Sequence, residues 1–215
     1  MIAVFLGAPG SGKGTQAKRL SQSIGIPQLS TGDMLRASIA AGTGLGKRAK
    51  AFIDEGQLVP DEVVLGLIQE RIKSEDCKSG FILDGFPRTV GQAEGLESML
   101  ENSARTLDCV VLFSIDERDL ARRLTGRRTC ERCGAMFHVD FQAPKVSGSC
   151  DSCGGSLFQR PDDQLDVIQK RMAVFRQQTQ PLEAYYSKKG VMTSIDAGQS
   201  PDRVYSQLSQ VLKLS

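Results

Sequence analysis

Tryptophan is absent from this 215-residue sequence, histidine occurs once, and the formal net charge is only +2. Such a balanced charge gives no general bias toward nucleic acids or other polyanions. No apolar run approaches membrane-spanning length, and no basic segment precedes the first apolar run as it would in a secretory signal. We therefore expect a cytoplasmic protein without a membrane or nucleic-acid partner. The single histidine, His138, is a weak candidate for a general base.

A glycine-rich loop follows the apolar run Ile2–Leu6 and precedes a helical stretch near residues 13–24. Residues 7–15 read GAPGSGKGT. The glycines let backbone N–H groups turn toward a polyphosphate, Lys13 adds a positive charge, and the helix dipole favours the same anion. This pattern predicts a phosphate-binding loop. Because Gly14 separates Lys13 from Thr15, the loop alone does not predict contact between a hydroxyl and Mg²⁺.

Short apolar runs alternate with longer helical patterns along the chain, which predicts an α/β protein with a parallel sheet covered on both faces. The predicted strands are Ile2–Leu6, Gln28–Ser30, Phe81–Asp84, Cys109–Ser114 and 192–195. The predicted helices lie near 13–24, 61–73, 89–102, 116–125, 162–188 and 202–213. Two segments break the alternation, so we predict a core of residues 1–29, 60–125 and 164–215 with inserts at 30–59 and 126–163.

The second insert contains two C-x-x-C pairs, each followed by glycine and separated from one another by sixteen residues. This spacing predicts one tetrahedral Zn²⁺ held by Cys130, Cys133, Cys150 and Cys153. Four thiolates leave no open coordination position, so the metal should be structural. The insert has few large apolar side chains, and metal binding would substitute for a core.

Arginines are concentrated where strands end and where the inserts begin. They are Arg36, Arg88, Arg123, Arg127, Arg160 and Arg171. Guanidinium groups at such positions suit a protein that must offset the charge of several phosphates. Asp84 ends an apolar strand, a position typical of a carboxylate that holds Mg²⁺ directly or through water. Asp162 and Asp163 either cap a helix or grip another lobe or a ribose when the insert closes.

Together these segments resemble adenylate kinases, in the long bacterial form with a zinc-bearing lid, over essentially the whole chain. The segments that carry the resemblance are 7–16, 29–36, 56–61, 84–89 with Gln92, 126–128, 160–163 and 170–171. The resemblance implies a P-loop NTPase fold with a helical insert for the monophosphate, a zinc-ribbon-like lid and a monomeric state. It implies reversible phosphoryl transfer from Mg·ATP to AMP, giving two ADP. It also implies that Mg²⁺ is largely held through water that Asp84 orients.

The resemblance assigns roles to matching positions. The ATP site would contain Gly10, Ser11, Gly12, Lys13, Gly14, Thr15, Arg123, Arg127, Met136, Phe137 and Gln199. The AMP site would contain Thr31, Arg36, Gln57, Leu58, Val59, Gly85, Phe86, Pro87, Arg88, Gln92, Arg160 and Arg171. The catalytic groups around the transferred phosphoryl would be Lys13, Asp84, Arg88, Arg123, Arg127, Arg160 and Arg171.

Two alternatives stay open at this stage. A kinase for another nucleoside monophosphate would share the fold, although Thr89 and Gln92 after Arg88 favour adenine. A zinc-ribbon P-loop protein that binds nucleic acid would need a basic face with interleaved aromatic residues. The lid offers Arg127, Arg128, Arg132, Lys145, Phe137 and Phe141 for such a face, but the near-neutral composition disfavours it.

Overall fold

A computed structural model describes residues 1–214, and its centre is a five-stranded parallel sheet. The strands are β1 (Ile2–Leu6), β2 (Gln28–Ser30), β3 (Phe81–Asp84), β4 (Cys109–Ser114) and, near the C-terminus, Met192–Asp196. The last is β8, because three short strands of a second sheet precede it. The spatial order is β2-β3-β1-β4-β8, and Val4 in β1 pairs with Leu83 on one side and Val110 on the other. The predicted α/β fold is confirmed.

The sheet is apolar on both faces. All five residues of β1 are buried. Ile2, Val4 and Leu6 belong to one hydrophobic cluster, whereas Ala3 and Phe5 belong to another. Because successive side chains of a strand point to opposite faces, the two clusters lie on the two sides of the sheet.

Nine helices within residues 1–214 accompany the two sheets. They are α1 (Lys13–Ile24), α2 (Thr31–Ala40), α3 (Gly44–Asp54), α4 (Asp61–Arg71), α5 (Val90–Asn102), α6 (Glu117–Thr125), α7 (Leu165–Val174), α8 (Pro181–Lys188) and α9 (Pro201–Val211). Two short 3₁₀ turns cover Glu75–Cys77 and Pro161–Asp163.

The single long helix predicted over 162–188 is wrong. Helix α7 ends at Val174, a π-helical turn follows over Phe175–Thr179, and α8 begins at Pro181. Proline has no N–H and its ring crowds the preceding turn, which explains the widened backbone before it.

Residues 31–59 contain α2 and α3 and no strand. Ser30 and Thr43 cap the two helices with their hydroxyl oxygens. The helices approach closely at Gly46, where a Cβ would lie 2.1 Å from the Ser38 carbonyl oxygen. Only glycine permits this contact, so the two helices form a tightly packed helical hairpin.

Residues 127–158 form a small antiparallel sheet with its own cluster of buried residues. Its strands are β5 (Arg127–Cys130), β6 (Met136–His138) and β7 (Leu157–Phe158), in the order β6-β5-β7. The cluster combines Phe137 with Cys130 and Cys150. Across the part of the chain that the structure describes, no helix has both the length and the apolar character needed to cross a membrane.

Candidate active site

A cavity of about 1010 Å³ lies beyond the carboxyl ends of β1 and β3 and is lined by both inserts as well as by the core. Ligands of open α/β sheets bind at this edge. All eleven residues predicted for the ATP site line it. So do all the predicted AMP-site residues except Phe86, which is buried in the core, and Pro87, which lines a smaller neighbouring cavity. The fold thus gathers residues from positions 9 to 204 around one space.

The phosphate-binding loop takes the conformation that its glycines allow. Gly10 has φ 86°, and a Cβ there would lie 3.0 Å from Leu124 Cγ and 3.2 Å from the Leu120 carbonyl oxygen. Helix α1 begins at Lys13, within the loop segment, so its free N–H groups and dipole face the cavity. The Ser11 hydroxyl is buried and finds no hydrogen-bond partner among residues 1–214. The loop therefore presents donors to an anion.

Lys13 lies within a ring of like charges. Its ammonium donates to the Ala8 carbonyl over 3.2 Å. Burial lowers the pKa of Lys13 to about 8; Asp84 opposes this shift, and Arg88, Arg171 and others add to it. A lysine in this setting binds an added anion strongly. The negative charge offsets the unfavourable energy that burial and the neighbouring arginines impose on the ammonium group.

Asp84 stands on the cavity floor beside the loop. Its carboxylate accepts a 2.9 Å hydrogen bond from Gln28 Nε2, and burial raises its pKa although Lys13 opposes the shift. A Cβ at Gly14 would lie 3.0 Å from Asp84 Oδ2. The carboxylate of Asp84 thus occupies the space that a serine or threonine side chain at position 14 would need. This contact explains why glycine stands between Lys13 and Thr15.

Arg88 and Arg160 have few carboxylate partners. Arg88 Nε donates to the Gly85 carbonyl over 2.8 Å, and no carboxylate within residues 1–214 forms an ion pair with it. Arg160 is 7% exposed and lies 3.7 Å from Asp33. Burial first, then neighbouring arginines, lowers the pKa of each guanidinium to about 10. Both groups remain charged at neutral pH and lack full compensation.

Arg127 and Arg171 are paired with two buried aspartates. Arg127 binds both carboxylate oxygens of Asp163 at 2.8 and 2.6 Å. Arg171 lies 3.0 Å from Asp162 and 3.1 Å from Asp163. Burial alone would raise the pKa of Asp162, but the arginines, Arg171 foremost, hold it below its usual value. These aspartates are counter-ions rather than helix caps, since α7 begins later, at Leu165.

The remaining predicted contacts are distributed around the wall. Thr31 donates to the Gly85 carbonyl over 2.7 Å, and Arg36 pairs with Asp33 at 2.5 Å. Arg123 donates to the Ala197 carbonyl over 3.0 Å. Gln199 Nε2 donates to Asp196 over 3.0 Å, and its second N–H and its Oε1 stay available to a ligand.

The four lid cysteines form one cluster whose sulfur atoms all lie within 4.8 Å of one another. Cys130 and Cys153 approach to 3.5 Å, and Cys133 and Cys150 to 3.6 Å. A tetrahedron with Zn–S bonds of about 2.3 Å has sulfur atoms about 3.8 Å apart. The distances exclude disulfides and fit the size and chemistry of a zinc site.

His138 lies at the base of the lid and its ring is fully engaged. Its Nδ1 accepts from the backbone N–H groups of Asp140 and Phe141, at 2.9 and 3.2 Å. Its Nε2 therefore carries the proton and donates to the Arg122 carbonyl over 3.2 Å. The neutral ring thus joins the lid to α6.

Sequence reasoning missed three polar residues: Asp33 and Gln28, which line the cavity, and Asp61, which contacts the cavity-lining Gln92. Asp33 faces Arg36 and Arg160, Gln28 orients Asp84, and Asp61 holds Thr89 and Gln92. The i,i+3 spacing of Asp33 and Arg36 on α2 is a signal for that pair. The contacts of Gln28 and Asp61 join different elements, so no spacing along the chain identifies them.

Known proteins are similar to this chain over nearly its whole length. A family model described as "Adenylate kinase" matches residues 5–191. A protein named adenylate kinase from Thermodesulfovibrio yellowstonii is 55% identical over 213 residues, covering 99% of each chain. Those from Syntrophotalea carbinolica and Archaeoglobus fulgidus are 51% and 48% identical, each covering 99% of this chain and 98% of the relative. The chain belongs to the adenylate kinase family.

Proposed function

We propose that the chain transfers the γ-phosphoryl group of Mg·ATP reversibly to AMP, giving two ADP. The observation that carries the proposal is a cavity of about 1010 Å³ in which a phosphate-binding loop faces arginines from both inserts. The family assignment supports the same reaction. A site for one nucleotide alone would not need a second buried arginine group opposite the loop.

We assign one end of the cavity to each nucleotide. ATP phosphates bind residues 10–15 with Arg123 and Arg127, and the ATP base lies against Met136 and Phe137, with Gln199 at its edge. AMP binds between the segments 31–36, 57–59 and 85–92, and its phosphate meets Arg36 and Arg88. Arg160 and Arg171 lie between the two ends of the cavity and contact the phosphoryl group that is transferred.

Positioning and charge supply most of the catalysis. The attacking AMP phosphate oxygen and the leaving ADP oxygen must lie in line with the transferred phosphorus; one P–O bond forms as the other breaks. Lys13, Arg88, Arg160 and Arg171 hold positive charge where negative charge collects on the transferred group. Mg²⁺ would enter as Mg·ATP and would offset phosphate charge, and Asp84 is the carboxylate that would orient water around it. No covalent enzyme intermediate is required.

The two inserts act as covers. Residues 126–163 form the lid over ATP, and residues 30–59 cover AMP. Arg160 of the lid lies 3.7 Å from Asp33 of the other insert, which is consistent with covers that meet above the substrates. Their closure excludes water, which would otherwise accept the phosphoryl group.

The cysteine cluster fits a structural Zn²⁺ that stiffens the lid. Its sulfur geometry matches four thiolate ligands with no position left for substrate. The lid has only a small buried cluster of its own, so metal binding energy would replace a larger core. A monomeric state and a cytoplasmic location stay predictions.

A coupled assay of ADP formation with ATP and, in turn, AMP, GMP, CMP and UMP tests the proposal. We expect AMP to be strongly preferred. Equal rates with AMP and CMP would show that the protein is a less specific nucleoside monophosphate kinase and would overturn the preference for AMP. Absence of ADP with every acceptor would overturn kinase activity.

A further inference from the structure

The amide of Gln92 is buried in the cavity wall and held from two sides. Its Nε2 donates to Asp61 Oδ1 over 2.7 Å, and its Oε1 accepts from the backbone N–H of Arg88 over 2.8 Å. A carboxylate only accepts hydrogen bonds and a backbone N–H only donates them. The two contacts therefore fix which end of the amide is nitrogen and which is oxygen.

Thr89 anchors Asp61 independently of this amide. The Thr89 hydroxyl donates to Asp61 Oδ2 over 2.6 Å and accepts from the backbone N–H of Gln92 over 3.1 Å. Asp61 is the first residue of α4, whereas Thr89 caps α5. The carboxylate thus uses one oxygen to join two helices and the other to orient the amide between them.

An amide held in one orientation can distinguish adenine from a 6-oxopurine, whereas an amide that is free to rotate would accept either base. After these contacts Gln92 keeps one N–H and one oxygen lone pair for a ligand. Adenine presents an amino donor beside the acceptor N1, whereas a 6-oxopurine presents an oxygen acceptor beside an N1–H donor. Rotating the amide by half a turn exchanges its donor and acceptor, and it would then match the 6-oxopurine.

We propose that Asp61, acting together with the backbone N–H of Arg88, determines the purine specificity of the monophosphate site by preventing rotation of the Gln92 amide. This rests on the proposed function, in which the segment 85–92 lines the AMP site, and it places the Gln92 amide against the AMP base. Asp61 is a positioning residue, since it contacts the amide and not the ligand. Its removal should admit 6-oxopurine monophosphates in addition to slowing the reaction with AMP.

The variant Asp61→Asn tests this, because asparagine can offer either a donor or an acceptor to the amide. IMP is the best probe, since it differs from AMP only in the groups along the edge being read. We expect the ratio of kcat/KM for AMP over IMP to fall about tenfold or more, chiefly through KM. Thr89→Val should shift the ratio in the same direction, and Thr89→Ser should restore it.

Glu62→Gln is the matched control. It removes the neighbouring, exposed acidic residue from the same first turn of α4, and it should leave the ratio unchanged. Equal proportional losses with AMP and IMP in Asp61→Asn would overturn the proposal, since a merely structural role predicts that result. If circular dichroism shows that Asp61→Asn is unfolded, the pair Thr89→Val and Thr89→Ser decides. Failure of the unaltered enzyme to phosphorylate AMP would instead overturn the proposed function.

Discussion

At the scale of single residues, Lys13 carries a charge that the free protein holds at a cost. Its pKa is lowered to about 8, mainly by burial. We expect kcat/KM for ATP to fall about tenfold per pH unit above this value, because the free enzyme loses the charge. Bound phosphates raise the pKa, so kcat should stay level to higher pH. Steady-state kinetics across the alkaline range check this, and identical profiles for the two parameters would contradict it.

The same pKa predicts an effect on stability. Lysine in an unfolded chain titrates near about 10.4, so between about 8 and that value the unfolded state binds more protons. Charged Lys13 therefore lowers the free energy of unfolding below pH 8, and this penalty is relieved as the pH rises through the window. Lys13→Met should stabilise the ligand-free protein by on the order of 1–2 kcal/mol at neutral pH while it abolishes turnover. Calorimetry that shows a lower Tm for the variant at pH 7 would refute this.

Arg88 has no carboxylate partner among the described residues, and its pKa is lowered to about 10 by burial and by Arg171. Arg88→Ala should reduce kcat/KM by about 10²–10³-fold, because the charge acts on the transferred phosphoryl group. Its Tm should change little. Arg118→Ala, which removes an exposed arginine paired with Asp116, is the control. Ordinary turnover by Arg88→Ala would remove this residue from the AMP phosphate site.

At the scale of elements, the lid sheet depends on its four cysteines. Changing Cys150 and Cys153 to Ser should release one Zn²⁺ and lower the Tm by about 10 °C. Activity should survive at low temperature, since Lys13 and Arg88 lie on other elements. Changing Cys77 and Cys109 to Ala removes two cysteines outside the cluster and should retain the metal. Complete loss of turnover in a folded, zinc-free variant would instead indicate catalytic zinc, and mass spectrometry with circular dichroism separates these outcomes.

The elements themselves were largely predictable from sequence. The strand Phe81–Asp84 was predicted with its observed bounds, because a short apolar run with an acidic end has few alternatives in an α/β protein. The prediction of one continuous helix over 162–188 was wrong, because periodicity alone does not reveal a π-helical turn before Pro181. Local sequence identifies an element better than it identifies an interruption inside one.

Contacts between elements were predictable only where a motif carried them. The loop at Lys13 and the cysteine cluster follow from spacing along the chain. The ion pairs of Asp163 with Arg127 and Arg171 join segments whose proximity depends on the complete fold. Sequence left Asp162 and Asp163 with two interpretations, a helix cap or a grip on another lobe or a ribose. Their burial beside Arg127 and Arg171 shows instead that they are counter-ions.

At the scale of the whole molecule, the parallel sheet places the phosphate-binding loop and Asp84 at one edge, and both inserts extend over that edge. Burial first, and then repulsion between the arginines gathered there, lowers the pKa values of Arg88 and Arg160. Phosphates offset this repulsion, so substrate binding and closure of the inserts should be coupled. A cavity assembled in this way favours direct transfer between two bound nucleotides over release of phosphate to water.

The most direct test of the account follows the transferred phosphoryl group. The protein is incubated with AMP and ATP labelled in its γ-phosphoryl group, and the products are resolved by mass spectrometry. The account predicts that the label appears in the β-phosphate of the ADP formed from AMP, with one unlabelled ADP for each labelled one and almost no free phosphate. Label recovered mainly as inorganic phosphate, at a rate independent of AMP, would contradict it.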